Sequence, residues 1–167
     1  MTETHSKYFF DGRHQCELGE GSDVIIVTDD FSTPENIGSI IRLAANVNAS
    51  QVMVVGSEGC RQSKVKKTAG AALGHVQVSW LGQEDLRLPE GYDLVALETV
   101  EGANDLFATD LPSRMALVLG NEKYGISSRL LAQCKRAVYV PMPGAIKSMN
   151  VSHAASVCLF EWLRRQL

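Results

Sequence analysis

Six short apolar runs separated by helical periodicities constrain this chain more than any other feature. They are VIIV (24–27), QVMVV (51–55), HVQVSW (75–80), DLVALE (93–98), MALVLG (115–120) and AVYV (137–140). Most are continuous rather than alternating, the pattern of strands covered on both faces of a parallel sheet. Between them, residues 34–48 place Ile37, Ile40, Ile41, Ala44 and Val47 on one side of a helix. Ser127 to Cys134 reads as a short helix, and a final helix runs from about Asn150 to the C-terminus. GQEDLRLPEGY reads as a turn with a short helix. Strands alternating with helices predict an α/β fold: a six-stranded, mostly parallel sheet with helices on both faces.

At 167 residues the chain fits one domain, read as residues 22–167 behind a loosely attached arm of residues 1–21. No run of 18 apolar residues exists, and MTETHSKYFFDGRHQ lacks the apolar core of a signal peptide. Cys16, Cys60, Cys134 and Cys158 form no C-x-x-C pair, and His5, His14, His75 and His153 are equally scattered. Neither a metal site nor a disulfide framework is expected, and a reducing cytoplasm is the expected location. The net charge of −3 does not advertise nucleic-acid binding, but it is unevenly spread. Residues 1–35 carry a balance of −6 and the remainder +3. Basic clusters occur at Arg61, Lys64, Lys66 and Lys67, at Lys135 and Arg136, and at Arg164 and Arg165. Singly they read as solvated helix faces; converging, they could hold phosphates.

The first helix has a marked start. Thr33 or Ser32 can cap it, Pro34 suits its first turn, and Glu35 favours the positive end of its dipole. At 100° per residue Arg42 shares the face away from the isoleucines with Glu35, Gly38, Ser39 and Asn46. Gly38, one turn before Arg42, leaves room beside the guanidinium. In the last helix Val151, Ala154, Ala155, Cys158, Leu159 and Trp162 make one apolar stripe. Val157 and Phe160 begin a second, in line with His153, which reads as a packed or interface histidine. Either a second chain covers that side or the helix sinks into its own core.

Ligands in open α/β sheets gather at the carboxyl ends of strands. Three loops of unusual composition leave strand ends here: DDFSTPENIGSIIR, GNEKYGIS and PMPGAIKSMN. No G-x-x-x-x-G-K-[ST] occurs, no G-x-G-x-x-G follows a strand, and no nucleophile elbow appears, so an ordinary dinucleotide enzyme or serine hydrolase is excluded. The segments Asn36-Ile-Gly38-x-x-x-Arg42, Leu119-Gly120-Asn121-Glu122-x-x-Gly125-Ile-Ser127 and Val140-Pro141-Met142-x-Gly144-x-x-x-Ser148-Met149-Asn150-Val151-Ser152 follow one another in order. Together they resemble the three motifs of the SpoU, or TrmH-like, branch of the SPOUT RNA 2′-O-ribose methyltransferases, from about Asp23 to Leu167.

The resemblance implies a C-terminal deep trefoil knot, a homodimer formed through the C-terminal helix and knot region, and S-adenosylmethionine as cofactor. It implies methylation of a ribose 2′-hydroxyl of tRNA or rRNA. It places Gly120, Val140 and Met149 where the family's loops contact the cofactor, with Thr99, in ALETVEGA, as another cofactor-side position. Asn36, Arg42, Glu122, Ser148 and Asn150 match the family's active-site positions, the arginine reaching the other subunit's cofactor. Met149 replaces the commoner leucine, and Lys123-Tyr124 inside the glutamate motif is similar to the TrmH branch itself. With only about twenty residues before the first strand, the chain is expected to lack the extra RNA-binding domain of rRNA-modifying relatives, which favours tRNA. The rival readings are a non-catalytic RNA- or adenosine-binding module and a small-molecule methyltransferase.

Overall fold

The computed structural model describes Phe10, residues 16–57 and residues 59–167. Most of the expected arm, residues 1–21, therefore lies outside the described residues. Of its described part, the Gly19 amide donates to the Gln166 carbonyl at 2.9 Å. Seven strands form the sheet rather than six: β1 (Asp23–Asp29), β2 (Gln51–Val55), β3 (Gln77–Leu81), β4 (Asp93–Leu97), β5 (Asn104–Asp105), β6 (Arg114–Leu119) and β7 (Arg136–Tyr139). The additional strand, β5, is two residues long and carries no apolar side chain, so no hydrophobic pattern marks it. Their order is β3-β2-β1-β6-β4-β7-β5, and every ladder is parallel, with Val27 facing both Met53 and Val118.

Four α-helices accompany the strands among the described residues: α1 (Pro34–Asn46), α2 (Gln62–Ala69), α3 (Ser128–Leu131) and α4 (Val151–Gln166). The parallel pleat sends alternate side chains to opposite faces. Val24, Ile26, Val52, Val54 and Leu117 meet the isoleucines of α1, Val65 of α2, and Ala155, Cys158, Leu159 and Trp162 of α4. Ile25, Val27, Met53, Val55, Ala116 and Val118 face the other way, onto Leu130 of α3 and onto Leu86, Leu88 and Tyr92. The expected short helix in residues 82–92 is absent; that segment is turn and extended chain, and its apolar side chains cover the sheet directly.

Gly38 serves a different purpose from the one its spacing suggests. A Cβ there would stand 2.6 Å from Thr68 Cβ and 2.8 Å from the Val65 carbonyl oxygen. The glycine lets α1 and α2 cross at backbone distance, and it gives no room to Arg42. On α4 the Trp162 indole N–H donates to the Pro112 carbonyl at 2.9 Å, satisfying the one polar atom of a fully buried ring. Val157 packs on the same core, whereas His153 and Phe160 remain exposed. The helix is thus not sunk in its own core on both sides.

Candidate functional site

Four parallel strands adjacent in the sheet, β1, β6, β4 and β7, release their following loops at one edge. Residues 30–36, 98–103, 120–127 and 140–150 therefore meet there, although they are far apart in sequence. They enclose a hollow of about 510 Å³. Thr99, Gly120, Val140, Met149, Asn36, Glu122, Ser148 and Asn150 all line it. Arg42 does not. It stands exposed on α1, its guanidinium close to Gly70, and it makes no hydrogen bond or ion pair among the described residues. The Glu35 that could have paired with it is bound to Lys64 at 3.1 Å.

Glu122 ties the loops together. Its Oε2 accepts from the Ser32 amide and the Ser32 hydroxyl, each at 2.9 Å. Its Oε1 accepts from the Thr33 amide at 3.0 Å and from the Asn36 side-chain amide at 2.8 Å. The expected cap of α1 by Thr33 or Ser32 is thereby corrected. Thr33 occupies the cap position with no side-chain bond, because a carboxylate from a distant loop reaches the free N–H groups and carries the charge that the helix dipole favours. Asn36 passes the connection on: its Oδ1 accepts from the Asn150 amide at 3.1 Å. Asn150 in turn caps α4, its Oδ1 accepting from the Ser152 amide at 2.8 Å and the Ser152 hydroxyl at 2.7 Å. Asn150 thus caps a helix and faces the hollow at once. Ser148 lines the hollow and makes no hydrogen bond among the described residues.

Partial burial alone would raise the pKa of the Glu122 carboxyl, but the Asn36 amide and the Ser32 donors outweigh it and hold the group down at about 2. A carboxylate depressed in the folded state adds stability that is fully present above its ordinary value near 4.5. That contribution is lost as pH falls toward 2. Because the side chain is largely exposed, the contribution discounts to about 1–2 kcal/mol. Glu122→Gln keeps the shape but turns one acceptor oxygen into a donor facing N–H groups. Its urea midpoint is expected below wild type at pH 7, with the gap narrowing as pH falls from about 4.5 toward 2. Parallel acid limbs for the two proteins would contradict this.

Two residues that the sequence reading did not single out complete the floor. Glu98, at the end of β4, accepts from the Thr99 amide at 2.9 Å and the Ile126 amide at 3.1 Å. Asn121 closes its own loop by accepting from the Lys123 and Tyr124 amides at 2.9 and 3.1 Å. A lone acid at a strand end was the only available signal for the first. Asn121 stands inside a motif whose neighbours drew the attention. The floor itself is narrow: a Cβ on Gly120 would lie 2.2 Å from both the Gly125 carbonyl carbon and the Ile126 nitrogen.

Comparison with known proteins gives the chain's relatives. A family model described as the SpoU rRNA Methylase family matches residues 23–160. The chain is 29% identical over 153 residues to a 23S rRNA (guanosine-2′-O-)-methyltransferase, RlmB, of Pasteurella multocida, covering 89% of this chain and 62% of the relative. It is also 29% identical over 167 residues to mouse TARBP1, a tRNA (guanosine(18)-2′-O)-methyltransferase, covering 91% of this chain and 10% of that much longer protein. The chain thus spans about three-fifths of the length of the bacterial relative. Among solved structures, the SpoU methyltransferase AviRb from Streptomyces viridochromogenes, in complex with AdoMet, superposes with a TM-score of 0.75 at 26% identity, covering 86% of this chain and 58% of that one.

Proposed function

This chain belongs to the SpoU rRNA Methylase family, and from that premise we infer that it methylates the 2′-hydroxyl of a ribose in RNA with S-adenosylmethionine as donor. The observation that carries the reading is the convergence of three separated segments on one hollow, joined through Glu122, Asn36 and Asn150. The hollow suits the donor in kind. Leu97, Val140, Met142 and Met149 offer apolar surface, and Thr99, Ser148 and loop backbone offer hydrogen-bonding groups. Gly120, Val140, Met149 and Thr99 would hold the donor. When bound, S-adenosylmethionine supplies a methyl group already activated on a sulfonium.

The chain's own residues then have three tasks. The proline-bearing loop 141–150 and the narrow floor at Gly120 fix the position of one reactant, and alignment of this kind is worth ~7–11 kcal/mol. Ser148 and Asn150 orient the ribose hydroxyl. Arg42 clamps an RNA phosphate, which accepts or relays the proton of the ribose hydroxyl, and its guanidinium stabilises the alkoxide that develops. Since Arg42 lies outside the hollow of its own chain, the reading includes a homodimer in which Arg42 serves the partner's hollow, with the uncovered His153 and Phe160 side of α4 in the interface. The C-terminal trefoil knot belongs to the same reading.

Both curated relatives act on guanosine by name, which favours that nucleoside. GNEKYGIS resembles the branch of the family that acts on a D-loop guanosine and KSMN the branch that acts on the wobble nucleotide, so both, with the mouse tRNA enzyme, favour tRNA; the Pasteurella enzyme favours 23S rRNA as the second reading. The test is incubation of the protein with labelled S-adenosylmethionine and bulk tRNA or rRNA, followed by nucleoside analysis. Label in 2′-O-methylguanosine is the expected result, and the labelled RNA pool chooses between the readings. Donor binding with no label in either pool would make the chain a binding module instead.

A further inference from the structure

The ladder between β4 and β6 ends at Leu97 and Leu119. The loops that follow, 98–103 and 120–127, both supply lining to the methyl-transfer hollow. Among the described residues one hydrogen bond joins these two loops: Glu98 Oε2 accepts from the Ile126 amide at 3.1 Å. Glu98 Oε1 accepts from the Thr99 amide at 2.9 Å. With a backbone donor on each oxygen, the carboxylate is held against the neighbouring loop rather than turned out to water. Gly125 is shaped to admit it. Its φ is +71°, and a Cβ there would stand 2.6 Å from Glu98 Oε2. Backbone conformation and the carboxylate both exclude a side chain at this position.

The place of this bond decides what it serves. β4 and β6 are already matched at five register positions, from Asp93 with Met115 to Leu97 with Leu119. Leu117 and Leu119 are fully buried among them, so the sheet does not depend on Glu98. On the other flank of β6, Asp29 at the end of β1 accepts from the Ser127 amide at 2.7 Å. Consecutive amides, Ile126 and Ser127, are thus held by carboxylates from the two flanking strands. Asp29 is buried and lies outside the lining of the hollow; it fixes the residue that caps α3. Glu98, Thr99 and Gly125 all line the hollow. A carboxylate offers acceptors only, so it holds two N–H groups with no donor to misplace, and its removal leaves both amides free to turn.

We propose that Glu98 is a positioning residue for the methyl donor: acting through Thr99 and the Gly125–Ile126 peptide, it sets the separation of the two loops and so the fit of S-adenosylmethionine between them. The proposal rests on the donor reading above. It does not extend to the RNA, whose ribose and phosphate that reading gives to Ser148, Asn150 and Arg42. Glu98 and Glu122 then divide the work on loop 120–127. Glu122 ties the loop to the start of α1, and Glu98 ties its far end to β4.

Calorimetric titration of S-adenosylmethionine into the full chain tests the proposal without RNA. Glu98→Ala removes both acceptor oxygens and is expected to weaken donor binding about 10-fold. Glu98→Gln keeps one acceptor oxygen and should weaken it only about 3-fold, a partial rescue by the conservative variant. Amide exchange at Thr99 and Ile126 should quicken in Glu98→Ala while that at Ile26, in the middle of β1, stays at the wild-type rate. In the methyl-transfer assay the KM for the donor should rise by the same factors, with kcat at saturating donor within about twofold of wild type. Donor affinity within about twofold of wild type in a folded Glu98→Ala chain would overturn the proposal. So would a fall in kcat at saturating donor without loss of donor affinity. If Glu98→Ala does not fold, Glu98→Gln decides by the same criteria. A wild-type chain that takes no donor would overturn the donor reading and the proposal together. Donor binding without label in RNA would remove the transfer reading alone, and the affinities of the variants would still decide.

Discussion

Gly120→Ala is expected to cut S-adenosylmethionine affinity at least about 100-fold and to lower the stability of the chain by about 3 kcal/mol. The added methyl would lie 2.2 Å from the Gly125 carbonyl carbon and from the Ile126 nitrogen, and both are backbone atoms that no rotamer change can move aside. Ordinary contact requires more than an ångström of extra separation. The loop 120–127 would have to open, breaking the paired Asn121–Gly125 hydrogen bonds at 3.0 and 2.9 Å and displacing Glu122 from the start of α1. Donor binding suffers more than folding, because β6 stays anchored on both sides by β1 and β4 while the displaced loop lines the hollow itself. Calorimetric titration with S-adenosylmethionine and thermal unfolding measure the two effects separately. A donor affinity within about threefold of wild type would show that this loop is no part of the donor site.

Arg42→Ala is expected to lower the methyl-transfer rate by about 10²–10³, the usual loss on removing one preorganised donor at a developing oxyanion. Folding should be nearly unaffected, since the side chain is exposed and makes no internal bond among the described residues. Its position outside the hollow leads to a sharper outcome. Ser148→Ala is likewise expected to be nearly inactive, yet mixing and refolding the two inactive variants should restore activity. One of the two sites in a mixed dimer receives Arg42 from the Ser148→Ala chain and Ser148 from the Arg42→Ala chain. With random pairing, about a quarter of wild-type activity returns. No recovery from a demonstrably mixed dimer would refute the cross-subunit role of Arg42, and a fully active monomer would refute the dimer itself.

Most of the fold was legible because buried parallel strands leave uninterrupted apolar runs, and β2 occupies the same residues that its run marks. Hidden elements had little apolar content to display. β5 is an Asn-Asp pair hydrogen-bonded to β7 at the sheet edge, and α2 buries only Val65 and Ala69 beneath a basic surface. The segment 82–92 misled in the opposite sense, since Leu86 and Leu88 reach the core from an extended chain. At the site, Asn36, Glu122 and Asn150 were readable as a set only through motif resemblance. Nothing in local spacing reveals that a carboxylate from residue 122 caps a helix that begins at residue 34. Arg42 was found by the same motif, but its placement outside the hollow depends on how α1 lies against α2, which a helical wheel does not contain.

The bond between Asn36 and Asn150 closes a loop of more than a hundred residues. A nascent polypeptide leaving the ribosome N-terminus first can assemble much of its sheet early, yet its hollow has no far wall until residues 140–150 have emerged. The hollow therefore takes shape later than the strands that carry its floor, and a chain cut short before residue 150 would lack it.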